Sequence, residues 1–324
     1  MTKESEKAIA IHNEIVEPII SIIMPVYNKA SYIEDTISSI LNQTYSSYEV
    51  IMVGGASTDD SDVICQKYAN ANPNTFKYIS QTGKGVSTAR NDGILVAKGK
   101  YIAFLDADDI WIPEYLETMK NLIDDYPEAV FYAGGHTWKY PDALEINRVL
   151  PIPRGYIDYF KTIMDYNGLG ILTSWIVYNR NTLLDVGTFK VDFIIGEDVD
   201  LSIRMALSGK VAYEPKNLGI YRAELPGSLC KYSNGFAVGI PGEREILNSV
   251  KTPILVNFYE WWAINTALQN IVRGFPKTAR KQLKECNLSK KKILLLFFSY
   301  LPTIVASNLH QTYNSLIWRK TDSK

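Results

Sequence analysis

The chain has 324 residues, enough for one large α/β domain with an appended region. Hydrophobic residues make up 46% and charged residues 21%, which excludes a mainly disordered chain. The formal net charge of −1 excludes a global attraction for nucleic acid. The few cysteines and histidines show neither zinc-ligand spacing nor a disulfide framework, which favours a reducing compartment. They are Cys65, Cys230, Cys286, His12, His136 and His310.

Residues 1–17 are a polar segment that mixes charges and lacks the apolar run of a signal peptide. From this segment we expect a cytoplasmic protein. The apolar run at 19–24 then predicts a buried parallel strand that ends at Pro25, because proline cannot donate to a sheet ladder. Residues 32–41 follow with helical spacing, and Ser31 with Glu34 is typical of a capping box.

This order of strand, loop and helix repeats along the chain. Further strands are expected at 48–53, 76–80 and 101–105, and further helices at 61–68 and 86–97. Such alternation predicts an α/β fold with a Rossmann-like, mostly parallel sheet flanked by helices. Ligands collect at the carboxyl ends of the strands in sheets of this kind.

The second half of the chain divides in two. Strands are expected at 130–133, 174–178 and 211–213, and a helix at 198–209. Several glycines after residue 226 predict a long loop, and the pattern from 253 onwards is helical. We therefore expect a catalytic domain over 18–225 and a loop with a helical C-terminal region over 226–324.

Three aspartates follow the strand at 101–105. Asp106, Asp108 and Asp109 repel one another at neutral pH, so a cation would stabilise them. Magnesium binds through one or two carboxylates together with substrate phosphates, which favours a metal site that also holds a diphosphate. A solvated turn, in which Asp109 caps the next helix, is the alternative.

A second acidic group, Gly196-Glu197-Asp198, begins the predicted helix at 198–209. Carboxylates are favoured at a helix N-terminus, which explains one of these acids without a catalytic role. The functional alternative is a general base that deprotonates an acceptor hydroxyl during an inverting sugar transfer.

Taken in order, these motifs identify a family resemblance over roughly residues 18–225. The matching segments are "SIIMPVYNKASYIEDTISSILNQTYSSYEVIMV", "STDDS", "GVSTARNDGILVAKGKYIAFLDADD", "VGTFKVDFIIGEDVDLSIRMALSG" and "YR". The chain resembles the family-two glycosyltransferases of GT-A fold. The resemblance implies an inverting transfer from a nucleotide-diphosphate sugar, with a UDP-sugar favoured, onto a glycan or lipid-linked acceptor in surface polysaccharide or glycoconjugate synthesis.

The resemblance also implies roles for individual residues. Asp108 would bind a divalent metal, Mn²⁺ or Mg²⁺, and Asp198 would be the catalytic base. The residues that would bind the nucleotide sugar are Pro25, Val26, Tyr27, Asn28, Gly54, Gly55, Lys84, Arg90, Asp106 and Ala107. The residues on the acceptor or donor-sugar side would be Trp175, Glu197 and Arg222. Arg90 has a structural alternative, which is to pair with a carboxylate of the acidic turn.

The chain departs from the family pattern after its second strand. The family commonly carries an aspartate there that recognises the base, whereas this chain has Gly54 and Gly55. Backbone groups of the two glycines could substitute, because glycine permits close approach. After Tyr221-Arg222 the family often has a histidine, whereas this chain offers Glu224.

The C-terminal region pairs a basic segment, 277–292, with an apolar one, 293–305. The apolar stretch is shorter than the ~20 residues that span a bilayer, and Pro302 interrupts it. This pattern favours peripheral contact with an anionic membrane surface on the inner face of the cell membrane. A helix docked on the domain, or on a second copy, is the alternative.

Two other functions compete with glycosyl transfer. A nucleotidyltransferase would usually carry a glycine-rich, basic loop where this chain has Pro25-Val26-Tyr27-Asn28. A catalytically inactive domain that serves as a binding module gains support from Gly54-Gly55, but the retained Asp108 and Asp198 argue against it. A dehydrogenase is excluded because no Gly-x-Gly-x-x-Gly motif follows a strand.

Overall fold

The computed structural model describes residues 17–166, 171–192, 196–223, 225, 252–272, 275–285 and 299–300. These residues divide into two compact units. The first contains the described parts of 1–156, 170–191 and 204–223, and the second those of 157–169, 192–203 and 224–324.

The first unit is built on a sheet to which ten strands of the described chain contribute. They are β1 Ile20–Pro25, β2 Tyr48–Gly54, β3 Phe76–Ser80, β4 Tyr101–Phe104, β5 Ile110–Trp111, β6 Ala129–Lys139, β7 Glu145–Asn147, β8 Gly155–Ile157, β9 Ile176–Asn179 and β10 Lys210–Arg222. Their order is β3-β2-β1-β4-β9-β6-β10-β5, with β7 beside β6 and β8 beside β10. The expected sheet of an α/β fold is confirmed.

Most strands of this sheet run in one direction. β1 pairs in parallel with β2 and β4, and β6 pairs in parallel with β10. Only β9 separates β4 from β6, and it is antiparallel to both. The carboxyl ends of β1, β2, β3, β4, β6 and β10 therefore meet at one edge, where ligands collect in sheets of this kind.

Helices cover the sheet because its strands are apolar on both faces. These are α1 Ile33–Leu41, α2 Ser61–Ala71, α3 Val86–Val96, α4 Tyr115–Asp125, α6 Arg180–Asp185 and the later part of α7 Glu197–Ser208. Five of the six residues of β1 are buried, which explains its unbroken apolar sequence. The buried side chains of α1, among them Ile33, Ile37 and Ile40, pack in the same core.

The capping box expected at Ser31 and Glu34 is wrong. Helix α1 begins at Ile33 after Tyr32, and no side chain caps it. A turn takes the place of the cap, because the backbone N–H groups of Tyr32 and Ile33 both donate to the carbonyl of Lys29, at 2.9 Å each. The strands at 130–133 and 211–213 are also longer than expected, since β6 and β10 continue to the carboxyl edge.

The second unit is helical in its described residues. It contains α5 Tyr159–Asp165, the start of α7, α8 Pro253–Val272 and α9 Pro276–Glu285. Ala279 and Leu283 of α9 are fully buried against α8, so the apolar face of this basic helix is already covered. No helix in the described residues is long and apolar enough to cross a membrane. The segment predicted to contact a membrane, 290–305, lies outside the described residues except for Ser299 and Tyr300.

Candidate active site

The loop after β1 is bonded to the loop after β2 at the carboxyl edge. Asn28 adopts a left-handed backbone, with φ of 51°, which an asparagine tolerates better than most residues. Its side-chain oxygen accepts from the Thr58 N–H at 2.8 Å, and its own N–H donates to Ser57 Oγ at 3.2 Å. The Ala30 N–H donates to the Asp59 carboxylate at 3.0 Å. The two loops therefore form one fixed rim.

Asp62 fills the space next to Gly54. A Cβ atom at Gly54 would lie 2.6 Å from Asp62 Oδ1, closer than atoms can approach. The Asp62 carboxylate accepts from the N–H groups of Gly55, at 3.1 Å, and Ser57, at 3.2 Å, and the Tyr78 hydroxyl bonds to it. The Gly55 N–H, expected to stand in for the missing aspartate, is thus already bonded within the protein.

Two basic side chains neutralise the acidic turn that follows β4. Arg90 is 3% exposed and donates to Asp106 at 2.9 Å, which is the pairing named in the structural alternative for this arginine. The Lys29 ammonium contacts the Asp108 carboxylate. Burial raises the pKa of the Asp108 carboxyl, and the charge on Asp106 adds to this, while Lys29 opposes it. The negative charge of the turn is therefore compensated within the protein by Arg90 and Lys29.

The third acid of the turn is internal. Asp109 is 2% exposed and accepts from the Ser174 hydroxyl at 2.6 Å and from the backbone N–H of Arg222. Burial, together with the charges on Asp108 and Asp106, raises its pKa well above the usual range. Ser174 also accepts from the Asp106 N–H at 3.2 Å. Asp109 thus joins β4 to β10 rather than facing a ligand.

An aromatic group lies at the same edge, at the end of β6. His136 is fully buried and stacks on Trp175 with 4.3 Å between ring centres. The Trp138 indole N–H donates to His136 Nε2 at 2.9 Å, and the Arg148 guanidinium lies 4.4 Å from the centre of a Trp138 ring. Burial and the nearby Arg148 lower the pKa of His136 to about 3, so the imidazole is neutral and can accept this bond.

The predicted nucleotide-binding residues differ in exposure. Tyr27 is 60% exposed, and Asn28 and Lys84 are also exposed on loops at the carboxyl edge. Val26 and Ala107 are each only 2% exposed, so little of either residue is open to a ligand. The structure brings Pro25–Asn28, Gly54, Gly55 and the acidic turn to one edge of the sheet.

The predicted acceptor-side residues do not form one group. Trp175 is fully buried under His136, which corrects the expectation that its ring faces a ligand. Arg222 donates to Asp35 at 2.6 Å and lies 5.5 Å from the centre of the Tyr32 ring. Glu197 and Asp198 begin α7 in the second unit, and Asp198 accepts from the Val199 N–H at 2.8 Å. Glu224 lies outside the described residues.

The sequence did not predict three contacts that shape this edge. Lys29, Asp62 and Ser174 each bond to a predicted site residue or its neighbours. Lys29 directly follows the Pro-Val-Tyr-Asn motif, so its position was a usable signal. Asp62 and Ser174 meet their partners only through the tertiary fold, and nothing local in the sequence indicates these contacts.

The fold and the motifs at this edge define a class of protein. Residues 21–180 match the model of glycosyl transferase family 2. This segment belongs to that family, which confirms the resemblance found from the sequence.

Individual proteins are similar in sequence to parts of this chain. The minor teichoic acid biosynthesis protein GgaB of Bacillus subtilis is 37% identical over 129 residues, which cover 37% of this chain and 14% of GgaB. The chain spans only 14% to 33% of the length of three curated relatives that it matches.

Solved structures share the fold. The TarS 1–349 fragment of S. aureus, in complex with UDP-GlcNAc, has a TM-score of 0.63 at 19% identity and covers 91% of each chain. The mannosyltransferase PcManGT of Pyrobaculum calidifontis, in complex with GDP-Man and Mn²⁺, has a TM-score of 0.57 at 16% identity over 93% of this chain and 88% of that one.

Proposed function

We propose that this protein is an inverting glycosyltransferase that moves a sugar from a nucleotide-diphosphate sugar to a hydroxyl of a glycan or lipid-linked acceptor. The observation that carries this proposal is the acidic turn Asp106–Asp109, held by Arg90 and Lys29 beside the rim of Asn28 and the Gly54–Gly55 loop. This arrangement offers carboxylates and basic groups where a nucleoside diphosphate would bind, at the carboxyl edge of a parallel sheet.

A divalent cation fits this proposal. The Asp108 carboxylate is 16% exposed and pairs with the Lys29 ammonium, whose place a bound divalent cation would take. No group of three metal-ligating side chains occurs among the described residues. Magnesium usually binds through one or two carboxylates together with substrate phosphates and water. When bound, such an ion stabilises charge on the leaving nucleoside diphosphate. The structure of the mannosyltransferase PcManGT in complex with GDP-Man and Mn²⁺ supports this assignment.

The protein's own residues supply the other parts of the reaction. Tyr27, exposed at the rim, offers a ring to the nucleotide base, while Lys29 and Lys84 offer positive charge to the phosphates. Asp198, at the first turn of α7, accepts the proton of the acceptor hydroxyl as that oxygen forms the new bond to the anomeric carbon. Attack opposite the leaving group inverts the anomeric centre.

Two similar proteins indicate the class of sugar donor and the kind of biosynthetic pathway. TarS binds UDP-GlcNAc, which favours a UDP-sugar, and GgaB acts in teichoic acid biosynthesis, which favours a surface polymer as product. We place the reaction on the cytoplasmic side, with the C-terminal region in contact with the inner face of the membrane.

Donor hydrolysis tests the proposed function. The purified chain is incubated with a panel of nucleotide sugars, with and without Mn²⁺ or Mg²⁺, and the released nucleoside diphosphate is measured. We expect metal-dependent release from one donor and its loss in Asp108→Asn. The variant Asp198→Asn should lower transfer by roughly 10²–10⁴-fold while the affinity for the nucleotide is unchanged.

Calorimetry separates the competing functions. If no nucleoside diphosphate binds in the presence of metal, the transferase proposal fails and a binding module becomes the better description. If Asp198→Asn retains full transfer, Asp198 is not the base, although the donor site stands.

A further inference from the structure

We propose that Trp138, Tyr140 and Tyr221 form an aromatic platform that binds the pyranose ring of the acceptor. The proposal rests on the proposed function, since an acceptor site presupposes a transferase. It places the acceptor beside β6 and β10, next to Arg222, which is one of the residues predicted for this role.

The platform lies at the same edge of the sheet as the acidic turn. Trp138 is the penultimate residue of β6 and stands directly beside Tyr221 of β10 in the parallel register. Because β4 and β6 run in the same direction, the turn after β4 and the end of β6 share the carboxyl edge. Ser174, bonded to Asp106, immediately precedes Trp175, on which His136 stacks. A continuous chain of contacts therefore connects the donor side to the platform.

The three platform rings are close together and only partly buried. The centre of the Trp138 ring lies 5.4 Å from that of Tyr221 and 6.3 Å from that of Tyr140. Each side chain keeps part of its surface in contact with solvent. Aromatic side chains are strong contributors to binding when they are presented in this way, because they bring a large area with few rotatable bonds.

Contacts inside the protein fix the orientation of Trp138. Its indole N–H donates to His136, and the His136 ring stacks on the buried Trp175. The Arg148 guanidinium, itself 8% exposed, lies against a Trp138 ring. The exposed part of Trp138 therefore offers an aromatic surface and not a hydrogen-bond donor. A pyranose ring presents a face of C–H bonds, whose slight positive charge suits the negative face of such a ring.

A hydrophobic core does not require this arrangement. A Trp138 placed only for packing would be buried as Trp111 and Trp175 are, at 2% and 0% exposure. The bond from Trp138 and the stack on Trp175 compensate the burial of the His136 ring, and the same contacts hold the tryptophan in one orientation. The partly exposed rings therefore present a fixed aromatic surface to a ligand with an apolar face.

Saturation-transfer NMR on the full chain, with UDP and Mn²⁺ present, tests the platform. The probes are the methyl β-pyranosides of glucose, galactose and N-acetylglucosamine, with sn-glycerol 3-phosphate as a probe that has no ring. We expect transfer to the ring C–H protons of at least one pyranoside. Trp138→Ala should weaken it about tenfold, the size expected for one lost aromatic contact.

Two variants serve as controls. Trp138→Phe keeps a ring and should retain most of the signal, which separates loss of the platform from loss of the fold. Tyr156→Ala removes an aromatic side chain of β8 that is 42% exposed, and should leave the signal unchanged.

The UDP protons identify which proposal fails. Normal UDP signals without transfer to any pyranoside, or with equal transfer in Trp138→Ala, would overturn the platform and leave the proposed function standing. An absence of UDP signals in the unaltered protein would overturn the proposed function and the acceptor role with it.

Discussion

At the scale of single residues, the main departure from the family pattern has a structural counterpart. Gly54 leaves room for the Asp62 carboxylate, which holds the loop after β2 through two backbone N–H groups. The residue that holds this loop therefore belongs to the following helix, α2, and not to strand β2. A carboxylate is still present beside this loop, although a different position in the sequence supplies it.

Asp62→Ala should lower the free energy of unfolding by about 1–3 kcal/mol, because it leaves the N–H groups of Gly55 and Ser57 without their acceptor. Asp60→Ala is the matched control, since Asp60 precedes the same helix but its side chain makes no capping bond. Urea unfolding of both variants measures the difference. Equal losses would show that the Asp62 bonds do not stabilise the loop.

At the scale of elements, helix α3 and strand β1 approach unusually closely. A Cβ atom at Gly93 would lie 2.4 Å from Ile23 Cγ2, so only glycine fits at this position of the helix. The approach fixes α3, which carries Arg90, against the strand that leads into the loop after β1. The position of the Arg90 guanidinium beside Asp106 thus depends on a contact that contains no polar atom.

Gly93→Ala should destabilise the protein by about 1–3 kcal/mol through overpacking, although alanine is the better helix former. The second substitution Ile23→Ala removes the obstructing Cγ2 atom and should recover part of the loss beyond the sum of the two single changes. Thermal unfolding of the single and double variants measures this coupling. A higher midpoint for Gly93→Ala alone would contradict the close contact.

The neutral His136 at the end of β6 makes stability depend on pH. Its pKa falls from 6.5 to about 3 on folding, so the unfolded chain binds this proton more readily. The stabilisation is complete above pH 6.5 and decreases as the pH falls towards 3, by up to ~1.4 kcal/mol per pH unit. His136→Gln keeps an acceptor for Trp138 but does not titrate, so urea midpoints between pH 7 and 5 should fall less steeply for this variant. Parallel slopes would show that His136 does not titrate in this range.

At the scale of the whole molecule, the catalytic sheet and the C-terminal helices belong to different compact units. The apolar face of α9 is covered by α8, so membrane contact would have to come from the segment that follows it. That segment combines basic residues with an apolar run.

Deletion of residues 290–324 should abolish sedimentation with anionic vesicles, because basic and apolar groups bind such surfaces together. UDP binding should be unchanged, since the predicted donor residues lie before residue 110. Vesicles of neutral lipid are the control and should sediment little of either form. Equal sedimentation of the full and the shortened chain with anionic vesicles would contradict the membrane proposal.

Periodicity was sufficient for the elements that are buried on both faces, such as β1 and β4, because their sequences are continuously apolar. It was insufficient at the start of α1, where a backbone turn replaces the expected cap. Motifs located the acidic turn, but the partners Lys29 and Ser174 come from distant parts of the fold. Trp175 was expected at a ligand because a tryptophan near a strand end looks the same in sequence whether it is buried or exposed.

The strand order has an evolutionary consequence. β9 runs against its neighbours and separates the donor strands β1–β4 from β6 and β10, which carry the platform. In the proposed arrangement, mutations in β6 and β10 alter acceptor choice, and the bonds of Asp109 and Ser174 are the links through which such changes reach the acidic turn. An ancestral enzyme of this shape could acquire new polymers to modify without changing its sugar, and exchange of 129–150 and 210–222 between relatives would reproduce that history in the laboratory.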